Sequence, residues 1–265
     1  MEINKLTVED STIAYIDSGK GQPIVLLHGF CGSSSYWEHI IPTLSADFRV
    51  IAPDLPGHGQ SDPLKGKSTI KNIADQVKNF LDELNLAEVT MFGHSLGGYI
   101  TLAFAEKYSN HLNGYSLIHS TAYPDSDEAK QGRLANIEKV NQSGIYSLID
   151  GLVPKLFSPE NQDENYVGTA MEIGYSTSAE GAIDALNAMK DRPDRNQVLE
   201  TSTLPILLIA GEQDQIIPAE KTFSVSKVNI KQSIIKDSGH MSMFENPMEL
   251  ISEIQGYLAS INGAR

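Results

Sequence analysis

Cysteine is nearly absent from this chain: Cys31 stands alone, so no intramolecular disulfide can form, and that usage fits a reducing compartment such as the cytoplasm. No apolar run approaches the roughly 20 residues that a helix needs to cross a bilayer, which excludes a helical membrane span. Basic residues are scarce as well. Against 34 Asp and Glu there are 20 Lys and Arg, a formal net charge of −14, and such a surface repels nucleic acid and anionic membranes. The first residues lack a basic stretch followed by an apolar one, so no secretory leader is expected. No group of His, Cys and carboxylates has metal-ligand spacing, and no glycine-rich loop is followed by the lysine of a phosphate cradle. Neither a metal nor another cofactor is expected.

What is present is an ordinary globular composition, 40% apolar and 20% charged over 265 residues, enough for one large α/β domain with an insertion. Residues 5–8 and 12–16 read as an antiparallel pair joined through Glu9, Asp10 and Ser11. Short apolar runs follow at 24–27, 49–52, 89–92, 115–118, 205–210 and 233–236. Between them Ile70, Ile73, Ala74, Val77, Phe80, Leu81 and Leu84 recur at helical spacing behind a Ser68 or Thr69 cap. Near the end Asn246, Pro247 and Glu249 read as N-cap, first turn and capping-box acid of a last helix. Alternating strands and helices predict a mostly parallel sheet covered on both faces.

The strand at 89–92 meets Gly93-His94-Ser95-Leu96-Gly97, and a helical run follows at once. A serine in so sharp a turn has its hydroxyl pushed out at the end of a sheet, and it needs glycines where strand and helix crowd together. Ser95 is therefore the candidate nucleophile. A serine nucleophile needs a base, and the base needs an orienting carboxylate. The strand at 205–210 ends in Gly211-Glu212-Gln213-Asp214, and the strand at 233–236 ends in Asp237-Ser238-Gly239-His240. Of seven histidines only His240 follows Asp214. Upstream, the strand at 24–27 runs into His28-Gly29-Phe30.

With Asp54-Leu55-Pro56-Gly57-His58-Gly59-Gln60-Ser61-Asp62 after the strand at 49–52, these pieces in this order resemble the α/β-hydrolase superfamily, in its capped esterase, lipase and thioesterase branch. The resemblance implies an α/β-hydrolase fold, a triad of Ser95, Asp214 and His240, and an oxyanion hole formed by the backbone N–H groups of Phe30 and Leu96. Asp125, shortly after the strand at 115–118, stands in the other place where this fold can put its acid, whereas Asp237 is too near His240 in sequence to orient it. His28 and His58 read as loop scaffolding, and His94 as filler of the elbow. His119 ends a strand near the expected cavity and, with Tyr99, is a candidate substrate contact. Cys31 has no assigned base.

Residues 122–198 form too long a stretch for a loop and read as a helical cap inserted into a core of 1–121 and 199–265. Helical spacing recurs there at Leu134, Ile137 and Val140, at Leu148, Ile149 and Leu152, and at Ala179, Ala182, Ile183, Leu186 and Met189. The insertion holds seven Lys and Arg against thirteen Asp and Glu, so an acidic acyl-carrier protein is not an expected partner. No Lys or Arg cluster within one or two helical turns reads as a binder of a substrate carboxylate or phosphate, which predicts an apolar pocket for uncharged esters of short to medium length. The expected activity is cofactor-free hydrolysis of small-molecule esters through an acyl-serine. The same superfamily holds thioesterases, lactonases, receptors that keep the triad but bind ligands, and the C–C lyase of menaquinone synthesis, whose opening loop is similar to residues 28–37. That lyase carries arginine where this chain has Tyr99. A serine at position 95 also argues against dehalogenase or epoxide-hydrolase chemistry, which uses aspartate there.

Overall fold

In the computed structural model, which describes residues 1–161 and 164–263, the strands are β1 (Asn4–Val8), β2 (Ser11–Ser18), β3 (Pro23–Leu27), β4 (Arg49–Pro53), β5 (Val89–His94), β6 (Leu112–Ile118), β7 (Ile206–Gly211) and β8 (Ile230–Ile235). They form one sheet in the order β1-β2-β4-β3-β5-β6-β7-β8, antiparallel from β1 to β4 and parallel from β4 to β8. Glu9 and Asp10, at φ 47° and 64°, make the two-residue turn between β1 and β2, since paired positive φ values match the twist of a hairpin. Every residue of β5, β6 and β7 is buried, which is why these strands read as unbroken apolar runs rather than alternating ones.

The helices are α1 (Ile41–Leu44), α2 (Ile70–Glu83), α3 (Leu96–Tyr108), α4 (Asp127–Leu152), α5 (Glu164–Tyr175), α6 (Ala179–Lys190), α7 (Asn196–Thr201), α8 (Ala219–Thr222), α9 (Ser242–Glu245) and α10 (Pro247–Gly263). Thr69 caps α2, its Oγ1 accepting from the Asn72 N–H at 3.1 Å. At α10 Asn246 is the N-cap and Pro247 the first residue as expected, Asn246 Oδ1 accepting from the Glu249 N–H; only the capping acid differs, since Glu249 Oε2 takes the Asn246 side-chain amide and the Lys236 N–H rather than the Asn246 backbone N–H. The stretch between β6 and β7 carries α4 to α7, and α4 is broken at Gly144, where φ is 75°. Helix α5 has no counterpart among the predicted helices; its Gly168, Thr169 and Gly174 are poor helix formers, and packing of Ala170 and Met171 against the core sustains it.

Sheet order reverses at β3. The chain leaves β3 toward β4 on one side and returns to β5 on the other, so the loops leaving β3 and β5 part and open a crevice beyond their carboxyl ends. Phe30 and Ser95 are on those two loops. Among the described residues no helix is long and apolar enough to cross a membrane.

Candidate active site

Ser95 sits between β5 and α3 at φ 50° and ψ −111°, a conformation that costs an L-residue about 1–3 kcal/mol and persists only where its surroundings impose it. Hydrogen bonds impose it, among them that from the Tyr99 N–H to Ser95 O at 3.3 Å. The Ser95 N–H donates to Ile118 O at 2.9 Å, and Ser95 O accepts from Ser120 Oγ at 2.8 Å and from the Gly98 N–H at 2.9 Å. Glycine is required on both flanks, since a Cβ on Gly93 would collide with Gly97 O and one on Gly97 with Leu27 O. Leu96 is the first residue of α3, so its N–H lies beyond the reach of the helix ladder. Among the described residues neither that N–H nor the one of Phe30 meets a protein acceptor.

The loop carrying Phe30 is braced from below. Asp54 Oδ1 accepts from the Ser34 N–H at 2.7 Å, and its Oδ2 accepts from the Gln60 N–H at 2.9 Å. His28 Nε2 accepts from the Leu55 N–H at 2.8 Å, and its Nδ1 contacts Gly29 O at 2.8 Å, so the ring is a neutral crosslink between the loops after β3 and β4. Burial, then the neighbouring His58, pushes the His28 imidazole down to about 3. His58 is fully buried beside it and is lowered for the same first reason. Both act as loop scaffolding. The Cys31 thiol is buried and pushed up by desolvation, the opposite of an activated nucleophile.

Asp214 and His240 come together as the strand ends suggest. His240 Nδ1 donates to Asp214 Oδ2 at 2.8 Å, and Asp214 Oδ1 accepts from the N–H groups of Ile216 and Ile217 at 2.8 and 2.9 Å. Burial alone would raise the Asp214 carboxyl, but the imidazoles of His240 and His119 hold it well below the ordinary carboxylate range. Glu245, unremarked in the sequence, shapes the histidine loop: its Oε2 accepts from the Gly239 and Met241 N–H groups at 2.9 and 3.1 Å, and its Oε1 from the Ser158 N–H at 2.7 Å. A second tie to the inserted segment runs from the His240 N–H to Leu156 O at 2.7 Å. Nothing local in the sequence marks Glu245, since its partners are backbone amides that only the folded loop presents.

His119 is corrected by its position. It is wholly buried behind Asp214 and outside the cavity wall, with Nδ1 3.3 Å from Asp214 Oδ2 and Nε2 2.7 Å from Ser242 Oγ, so it cannot be a substrate contact. His94 fills the elbow as expected, donating from Nε2 to His240 O at 2.9 Å. His119, Asp214 and His240 offer three ligand-type atoms within 4.8 Å of one another. Asp214 is taken up by the His240 Nδ1–H and by two backbone N–H groups, and His119 Nε2 by Ser242 Oγ, an arrangement suited to orienting an imidazole.

Ser95, His240, Phe30 and Tyr99 line one cavity of about 440 Å³, walled on its far side by Arg133, Leu152, Leu156 and Met189 of the inserted segment. Asp125 also borders it but is committed elsewhere: its Oδ1 accepts from Arg192 Nη1 at 2.6 Å and its Oδ2 from Arg133 Nε at 3.1 Å. The absence of clustered cations in the linear sequence is therefore misleading. Folding brings Arg192, 67 positions away, and Arg133, eight positions away, onto one carboxylate.

A family model described as alpha/beta hydrolase fold matches residues 22–147. A thermophilic esterase from Thermogutta terrifontis, solved with malate bound, superposes with a TM-score of 0.92 at 29% identity, covering 98% of this chain and 99% of that one. The 3-oxoadipate enol-lactonase 1 of Acinetobacter baylyi is 24% identical over 250 residues, 93% of this chain and 92% of the relative. An enol-lactonase from Burkholderia xenovorans LB400 shares the fold at a TM-score of 0.89 and 22% identity, covering 97% of this chain and all of that one.

Proposed function

We infer that this chain, a member of the α/β-hydrolase superfamily, is a serine hydrolase that cleaves carboxylic esters of small to medium size through an acyl-serine intermediate. The observation that carries the reading is the His240 to Asp214 hydrogen bond of 2.8 Å beside the cavity that Ser95, held at positive φ, also lines. With Nδ1–H given to Asp214, His240 presents an unprotonated Nε2. It takes the Ser95 proton as Oγ attacks the ester carbonyl, and the N–H groups of Phe30 and Leu96 hold the resulting oxyanion. Collapse expels the alcohol with the proton from His240. Water then repeats the sequence on the acyl-serine, giving the acid and free Ser95.

Residues 122–198 act in this reading as a cap, since Leu152, Leu156 and Met189 of that segment close the cavity over Ser95. Lactones are cyclic esters and fall within the same chemistry, and the similarity to an enol-lactonase favours including them. Labelling with a serine-directed phosphonate, together with ester hydrolysis by Ser95→Ala, tests the assignment. On the scale measured in a serine protease, removing the nucleophile costs about six orders of magnitude in turnover, and residual activity within about tenfold of the parent overturns the reading.

A further inference from the structure

The wall of the cavity has a charge opposite to that of the protein. The chain carries a formal −14, yet Arg133, Arg192 and Lys221 line or brace the cavity with Asp125 as the one carboxylate among them. The two arginines are not equivalent. Arg192 is spent on structure: beyond Asp125 it donates from Nη1 to Met189 O at 2.9 Å and from Nε to Tyr123 O at 3.2 Å, and its guanidinium lies 4.0 Å over the Tyr99 ring. It fixes the end of α6 to the loop after β6, and one arginine would suffice for the Asp125 charge.

Arg133 is the second, and it uses Nε alone. Among the described residues its two terminal nitrogens meet no protein acceptor, although its side chain is only 24% exposed and forms part of the cavity wall. Lys221, an exposed residue, borders the mouth of the same space and adds a second positive charge there. Arg133, Arg192 and Asp125 together sum to one positive charge, and the terminal nitrogens of Arg133 on the cavity wall are left for water or an anion to meet. A guanidinium fork whose Nε is anchored is pre-aimed, and two coplanar N–H groups match the two oxygens of a carboxylate. Leu152, Leu156, Met189 and Ile217 share the wall, so a hydrocarbon spacer is accommodated beside the charge.

We propose that Arg133, assisted by Lys221, forms a carboxylate subsite in the cavity, so that the substrate is an ester or lactone bearing a second, free carboxylate on a hydrocarbon spacer. This inference rests on the serine-hydrolase reading for the bond that is cut, but not for the binding of the anion. It replaces the expectation of an uncharged substrate, whose premise was the linear separation of the cations.

Two measurements on the full chain test it. The first is calorimetric titration with adipate and with adipamide, of the same shape but neutral; adipate is expected to bind about tenfold more tightly, the scale of one charge-assisted hydrogen bond. Arg133→Gln should erase that advantage, and Lys130→Gln, the same charge loss one helical turn earlier and outside the cavity, should leave it intact. The second compares kcat/KM for monomethyl adipate against methyl hexanoate, and for 4-butanoyloxybutanoate against butyl butanoate, which place the charge on the acyl and alcohol halves in turn. One charged ester should exceed its neutral match about tenfold, and Arg133→Gln should collapse the ratio. Equal binding of adipate and adipamide overturns the subsite, as does a Lys130→Gln variant that loses as much as Arg133→Gln. Adipate binding without hydrolysis of any ester by Ser95 overturns the serine-hydrolase reading instead.

Discussion

Two carboxylates in this molecule are held alike and do different work. Asp214, after β7, is bonded by the imidazole of His240 and contacted by that of His119, and Asp125, after β6, is bonded by the guanidinium groups of Arg192 and Arg133. Both acids are almost fully buried, with side chains 0% and 4% exposed. The partner decides the chemistry. An imidazole can give up and take back a proton near neutrality, so its carboxylate can tune a base; a guanidinium stays charged, so its carboxylate can only hold it in place. On the proposed reading one region serves proton transfer and the other a fixed positive charge.

The sharpest way to break this comparison is to neutralise each acid in turn. Asp214→Asn should lower kcat by about four orders of magnitude, as expected when an asparagine amide forces the base into the wrong tautomer. Asp125→Asn should leave the chemistry in place but lower stability by about 3–5 kcal/mol, because it abandons buried arginine charge. Steady-state kinetics and urea unfolding of both variants decide the matter. If Asp125→Asn is the catalytically dead protein and Asp214→Asn merely the unstable one, the roles are reversed and the acid belongs after β6.

His119 separates the two imidazoles of the first region. It touches Asp214 and Ser242 but not the cavity, so any part it has in the proposed reaction runs through Asp214. His119→Phe keeps the ring and removes the nitrogens. Loss of one hydrogen bond to a charged acceptor predicts a fall of about tenfold in kcat with KM unchanged. A change confined to KM would return His119 to the substrate contacts that its place at the end of a strand suggests.

How far all this was legible follows the same division. Ser95, Asp214, His240 and Phe30 stand at the ends of apolar runs, and because parallel strands share an end, the sequence could bring them to one crevice without knowing the packing. The nominated pieces come from short-range rules, a glycine-flanked turn, a strand followed by an acid and a lone downstream histidine, and the resemblance to the superfamily supplied their joint roles and the place of Phe30. The inserted segment carries no such signals. Its helices α4 and α6 show their periodicity, yet where Arg192 ends up depends on α6 folding back against α4, which no local pattern encodes. The same limit hid Glu245, whose partners are amides of a loop and of Ser158, 87 positions upstream.

The smallest predicted effect is on stability, and it sharpens the contrast between imidazole and guanidinium. His28 is buried beneath the Phe30 loop and held neutral, its Nε2 lone pair committed to the Leu55 N–H, so a proton there would break that bond as well as charge the interior. Its value of about 3 in the folded protein lies well below the ordinary 6.5. Between those limits the unfolded chain binds a proton that the folded chain refuses. The contribution is thus fully present above about pH 6.5 and is lost as pH falls toward 3, at up to about 1.4 kcal/mol per pH unit. His58, His94 and His119, also lowered by burial, add in the same direction, whereas the arginines around Asp125 keep their charge throughout. His28→Gln can still accept from Leu55 with its side-chain oxygen but has no proton to gain. It should be less stable than the parent at pH 7.5, by about 1 kcal/mol for imperfect packing, yet lose stability less steeply between pH 6.5 and 5. Urea unfolding at three pH values measures both quantities, and a variant with the parent's slope would mean that His28 is already charged in the folded protein and that the loop beneath Phe30 is held by something other than a neutral imidazole.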